Sequence, residues 1–253
     1  MIYDLQKPTV WKRFSAYLFD IIHIITLAAG FAAVVSAVVD FDGKVEKLQS
    51  LENKYYAEYG ISDITSEEYE KLSEEEKQLY KDADEAFKKD PDVVKAYSLV
   101  YNLILIITAA GIFLAVLIWE FIIPLFLKNG QTLGKKIFGI AVMRTNGVKI
   151  SILQLFIRAI LGKYTFEIML PVFAVILVVF ANMALFGVVV LAALPIIQAV
   201  CLLVTRNTRQ ALHDLLSDTV TVDLASQLIF ENEQELIEYK QKAHAEAANK
   251  SKY

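Results

Sequence analysis

The chain has 253 residues, of which 56% are hydrophobic and 21% charged, with a formal net charge of −4. The two classes occupy separate blocks rather than alternating faces, which excludes an ordinary soluble domain. A single cysteine excludes a disulfide framework and leaves Cys201, inside an apolar run, as a packing residue.

The first block, Phe14 to Val39, is about 26 residues long, and a bilayer core takes roughly 20 helical residues to cross. Lys12, Arg13 and Val35-Ser36-Ala37 imitate a signal peptide. However, the run is too long for one, and Asp20 and His23 interrupt it. Residues 1–39 are therefore read as a cytoplasmic N-terminus and a first transmembrane helix.

Residues 40–96 follow as an acidic segment, with 17 acids against 8 lysines from Asp40 to Asp92. Long acidic segments are translocated while short basic loops stay inside, so this segment is expected to be an extracytoplasmic helical insertion. Thr65-Ser66-Glu67-Glu68 and Ser73-Glu74-Glu75-Glu76 each fit a capping box. Asp90-Pro91 fits an N-cap followed by proline at the first helical position. Tyr55, Tyr56, Tyr59, Tyr69, Leu72, Leu79, Tyr80 and Phe87 are the material for a small apolar seam.

A second span covers 97–127. Residues 128–165 then form a basic cytoplasmic loop. Between Phe121 and Phe166 there are seven bases (Lys128, Lys135, Lys136, Arg144, Lys149, Arg158, Lys163) and no acid. Alternation around Asn146-Gly147 predicts a β-hairpin with a type I′ turn, and Thr219 to Val222 offers a third strand. Ile152 to Lys163 places Gln154, Arg158 and Lys163 at helical spacing, which suits an interfacial helix with its bases toward headgroups.

The third apolar run, 166–205, would be about 60 Å long as one helix, twice the hydrocarbon thickness. It is read as a transmembrane hairpin with arms near Glu167–Phe180 and Val188–Thr205 and a turn around Asn182 to Gly187. Arg206 and Arg209 then return to the cytoplasm. The remainder, 206–253, is a cytoplasmic segment and polar tail, helical through about Glu231–Lys242. The expected fold is an all-α integral membrane protein with four transmembrane helices, the third and fourth as a hairpin, an outer helical insertion and a small cytoplasmic β-hairpin or sheet.

Ionisable groups inside a span cost roughly 2.5–3.5 kcal/mol each, so those that persist need a reason. Asp20 lies two helical turns past Arg13 on the same face. Glu120 precedes Lys128 by eight residues, and Gln198 precedes Arg206 by eight, just after Pro195. Three spans thus place polar groups in one layer. The pattern suggests a cation or proton site of Asp20 and Glu120, one of them protonated, with Gln198 as a neutral oxygen ligand. The competing reading is a set of internal ion pairs, Arg13 with Asp20 and Glu120 with a base of the loop. His23 is read as a packing residue. Gly130-Gln131-Thr132-Leu133-Gly134-Lys135-Lys136 lacks the spacing and preceding strand of a nucleotide loop. No metal spacing, cofactor motif, nucleophile–base arrangement or nucleic-acid interface is recognised, so an enzyme is not expected.

Lys12-Arg13-Phe14-Ser15-Ala16-Tyr17-Leu18-Phe19-Asp20 resembles the opening of RDD-family membrane proteins, named for one arginine and two aspartates. Gln131 to Gly139 with the following hairpin resembles the family's middle block, and Arg209 to Val220 its closing block. The resemblance implies a multi-pass protein of the bacterial cytoplasmic membrane, both termini cytoplasmic, and assigns the family residues to Arg13, Asp20 and Asp214. It says little about activity; transport has been proposed in the family, including sodium/proton exchange for some members. Asp214, beyond the last span, is expected to pair with Arg13 or Arg209. Two functions fit: cation/proton exchange of a monovalent cation, or a non-transporting membrane scaffold that binds partner proteins through its outer segment or cytoplasmic surface. Four spans enclose little space, which favours a homo-oligomer.

Overall fold

A computed structural model describes residues 5–180 and 184–250. The chain divides into two compact units, one comprising the residues up to Ala28 with those from Ile112 onward, the other Ala29–Gly111; the divisions fall within two long helices. Among the described residues, four helical stretches are long and apolar enough to cross a membrane: Val10–Val38, Pro91–Phe126, Ile152–Val179 and Leu185–Val204. Their large apolar side chains are left exposed, Trp11, Phe14, Ile25 and Val34 on the first and Leu203 and Val204 on the last. Apolar side chains with no protein partner along a whole helix are what a lipid-facing surface requires.

In the smaller unit, α1 (Val10–Val38) ends at Asp40, whose φ of 52° breaks the helix before α2 (Phe41–Tyr59). Both capping boxes form. Thr65 opens α3 (Ser66–Glu70) with Glu68 returning to its backbone, and Ser73 opens α4 (Glu74–Lys89) with Glu76 doing the same. Asp90 accepts from the amide of Asp92 at 2.7 Å, and Pro91 begins α5 (Pro91–Val116). Tyr55 packs on Phe87 and Tyr69 on Tyr80, while Leu79 stays outside the seam.

In the larger unit the second long helix continues past α5 through a π-helical segment, Leu117–Ile122, into α6 (Ile123–Phe126). Pro124 explains the widening, because it has no N–H for the carbonyl of Glu120 and its ring crowds that carbonyl. A short 3₁₀ turn, Lys128–Gly130, leads to α7 (Leu133–Ile137) and β1 (Ile140–Arg144).

The strands differ from the expected hairpin. β1 pairs antiparallel with β2 (Thr219–Asp223), from Ile140 opposite Asp223 to Arg144 opposite Thr219. The arm after the turn forms isolated bridges, Lys149 with Met143 and Val148 with Phe230, and the Val148 carbonyl accepts from the Arg144 amide at 2.8 Å. Nor is the turn of type I′. The amide of Gly147 bonds the Arg144 carbonyl at 2.9 Å and only Gly147 has positive φ (94°), the pattern of a three-residue loop ending in a bulge. Ala141, Met143, Val220 and Val222 are fully buried with Leu5 and Ile229 against them, and this hydrophobic contact holds the distant strand as the full partner of β1 while the local arm adds only short bridges.

The expected interfacial helix is also replaced. α8 (Ile152–Phe156) runs without a break through a π-helical segment, Ile157–Met169, into α9 (Leu170–Phe180). The first arm of the hairpin therefore starts at Ile152 rather than Glu167, which gives it full spanning length. The turn expected at Asn182 to Gly187 lies partly outside the described residues, and Gly187 itself is already in α10 (Ala184–Val204). Then come α11 (Leu212–Leu216), β2 and α12 (Glu233–Lys250), the last longer than expected.

Candidate functional site

Asp20 is 4% exposed and lies one turn along α1 from the buried Ala16. Its carboxylate is held by three donors: the Trp119 indole at 2.8 Å, the Thr132 hydroxyl at 2.5 Å and the Gly134 amide at 3.0 Å. The loop that superficially resembled a nucleotide loop is thus a cradle for this carboxylate. Thr132 also caps α7 through the Lys135 amide. Close approach is why residue 134 is glycine. A Cβ there would stand 2.5 Å from the Ala16 carbonyl oxygen and 2.7 Å from Asp20 Oδ1.

Glu120, 5% exposed, projects from the π-helical segment. Lys135 Nζ lies 3.4 Å from its Oε2 and 4.0 Å from Asp20 Oδ2, and Lys163 Nζ bonds Oε1. The two predicted carboxylates do come together, but with an ammonium between them rather than a shared proton. Burial pushes the Lys135 amine down to about 8, against the pull of Glu120 and Asp20. Asp20, Glu120, Lys135 and Lys163 sum to zero charge, as a buried group must nearly do.

Gln198 is not with them. Its amide nitrogen donates to Glu167 at 2.6 Å, and its oxygen accepts from the Leu212 amide at 3.1 Å. His213 Nδ1 meets the same Glu167 carboxylate at 2.7 Å. This is a separate polar knot at the start of α11, and Gln198 serves it as a bridge. His23 bonds the Phe19 carbonyl of its own helix and stacks on Trp119 with centroids 4.8 Å apart, which fits a packing residue.

The third group surrounds Asp214. Sequence reasoning assigned it Arg13 or Arg209, but its partner is Arg158 of the long third helix, which also bonds Thr219 at 2.8 Å. Burial raises the Asp214 carboxyl, and Arg158 overcomes that to leave it at about 2. Arg13 instead donates to the Arg209 carbonyl at 3.1 Å and the Thr221 carbonyl at 3.0 Å, closing the free edge of β2. Arg158 and Lys163 were expected to face headgroups. They turn inward because Asp214 and Glu120 are buried there and need counter-charge.

Arg13, Asp20, Glu120, Lys135, Arg158 and Asp214 all line one cavity of about 190 Å³. Trp119, Thr132, Gly134 and Arg158 were the residues missed as partners. The available signal was the run of bases without acids facing a span that carries one.

The RDD family model matches residues 7–218. No curated protein and no solved structure matches the chain. Matched over that length, and with helices long and apolar enough for a multi-pass membrane protein, the chain belongs to the RDD family.

Proposed function

We propose that this protein exchanges a monovalent cation for a proton at the Asp20–Lys135–Glu120 cluster. The observation that carries the reading is the Lys135 ammonium, buried between two carboxylates, where burial lowers the amine from its ordinary value. It occupies the place a small cation would take. When Lys135 Nζ gives its proton to water, a cation settles between Asp20 and Glu120, and the cluster keeps zero net charge. The reverse step expels the cation. Lys163 stays on Glu120 throughout and limits the site to one charge. Gln198, bonded elsewhere, has no role in this step. We place the loop of Lys128, Lys135, Lys136, Arg144 and Lys149 and both termini in the cytoplasm of a bacterial plasma membrane, supported by the excess of bases there over the acidic 40–96 segment.

A second reading rests on the completeness of the pairing. Each carboxylate of the cluster has a base, as in a knot that only fastens helices together, and the protein would then be a non-transporting scaffold. Flux separates the two. In proteoliposomes with an imposed sodium or potassium gradient, Asp20→Asn and Glu120→Gln should each lower proton-coupled flux at least about tenfold while the protein remains folded. Undiminished flux in both variants, or none in the wild type, rejects exchange.

A further inference from the structure

The residues from Ala29 to Gly111 hold a second cavity of different chemistry, a cleft of about 300 Å³ walled by Tyr55, Tyr56, Tyr69, Tyr80 and Phe87. Its rings meet at right angles. Tyr55 and Phe87 have centroids 5.7 Å apart and planes at 82°, and Tyr69 and Tyr80 are 5.7 Å apart at 89°. Hydroxyl bonds hold three of the rings in place: Tyr55 to Asp90 at 2.7 Å, Tyr56 to Glu52 at 3.0 Å and Tyr80 to the Ser62 carbonyl at 2.8 Å. Aromatic faces carry negative potential, and several around one space attract an alkylated ammonium more than a hydrated metal ion.

The charges on the lining agree. Glu52 and Asp84 stand against a single base, Lys81. Asp84 is held by Lys88 at 2.6 Å, but among the described residues no base lies within ion-pair distance of Glu52. The surrounding segment, with 17 acids to 8 lysines, concentrates cations near the cleft. Tyr55 already takes a cation from the chain itself, the Lys54 ammonium 5.9 Å from its ring centroid. Among the described residues no group of three or more acidic, histidine or cysteine side chains is set to hold a metal ion.

We propose that this cleft binds a small soluble organic cation with a quaternary or alkylated ammonium head, the rings taking the head and Glu52 supplying the counter-charge. Its volume sits at the lower end for small-molecule sites, roughly 300 Å³ upward. The inference is independent of the exchange reading.

The test is titration calorimetry of the full chain in a non-ionic, choline-free detergent, with choline as the probe and 3,3-dimethylbutan-1-ol as its uncharged isostere. Choline should bind at least about tenfold more tightly than the alcohol. Tyr56→Leu and Tyr80→Leu should weaken choline at least about fivefold, Glu52→Gln about threefold, and Tyr80→Phe less than about twofold, since it keeps the ring. Equal affinity for the two probes, absence of choline binding, or folded Tyr→Leu variants that bind like the wild type would each overturn the proposal. Should the leucine variants fail to fold, the isostere pair and Glu52→Gln decide it.

Discussion

Gly134 sits where the backbone of α7 touches α1 and has no room for a side chain. Its missing Cβ lets the amide reach Asp20 at 3.0 Å, and a methyl group would meet the Ala16 carbonyl, which belongs to a rigid helix and cannot swing aside. Gly134→Ala is therefore expected to separate α7 from α1, break the amide bond to a buried carboxylate and destabilise the protein by about 2–4 kcal/mol. Thermal melting in detergent measures this. A melting temperature within a degree or two of the wild type would show that the cradle is not tightly coupled to α1. Asp20 itself was legible in the sequence because an acid inside an apolar run needs a reason to stay. Its partners were not, since Trp119, Thr132 and Gly134 come from two distant parts of the chain and carry no charge to announce them.

The same contrast holds at the level of elements. Capping boxes at Thr65 and Ser73, the proline start at Pro91 and the four long apolar helices were all visible, because each depends on residues within a turn or two of one another. The pairing of β1 with β2 was visible only as an option. The Asn146-Gly147 signal pointed to the local partner, which is met only by short bridges, while burial of Ala141, Met143, Val220 and Val222 fixes β2 as the extended partner. The two π-helical segments left no mark beyond Pro124, yet they carry Glu120, Arg158 and Lys163. A π turn changes which way a side chain points, so these charges face inward although helical spacing sent two of them outward. Pro124→Ala restores the missing N–H and should let Leu117–Ile122 relax toward α-helix. Glu120 would then turn away from Lys135 and Lys163. Exchange is expected to fall about tenfold or more with little loss of helix content by circular dichroism. Wild-type flux in this variant would show that the π segment does not set the position of Glu120.

At the scale of the whole molecule, two groups of buried charges among the described residues are close to neutral, Asp20 and Glu120 with Lys135 and Lys163, and Asp214 with Arg158, while the part-buried Glu167 is held by Gln198 and His213. In the first, burial brings a lysine down toward the working pH range. Below about 8, Lys135 is charged and fills the site itself; as pH rises through that value it loses its proton, and the carboxylates are left with one uncompensated charge. Under the proposed exchange, cation binding and proton release are one event, favoured on the alkaline side and suppressed on the acid side. The most direct measurement adds sodium or potassium chloride to the purified protein in weakly buffered detergent near pH 8 and reads the protons released. The account predicts about half a proton per chain from the wild type, because half of the lysines already lack it near pH 8, little at pH 6 where the lysine holds its proton, and none from Lys135→Gln. No release from the wild type, or equal release from Lys135→Gln, would contradict it.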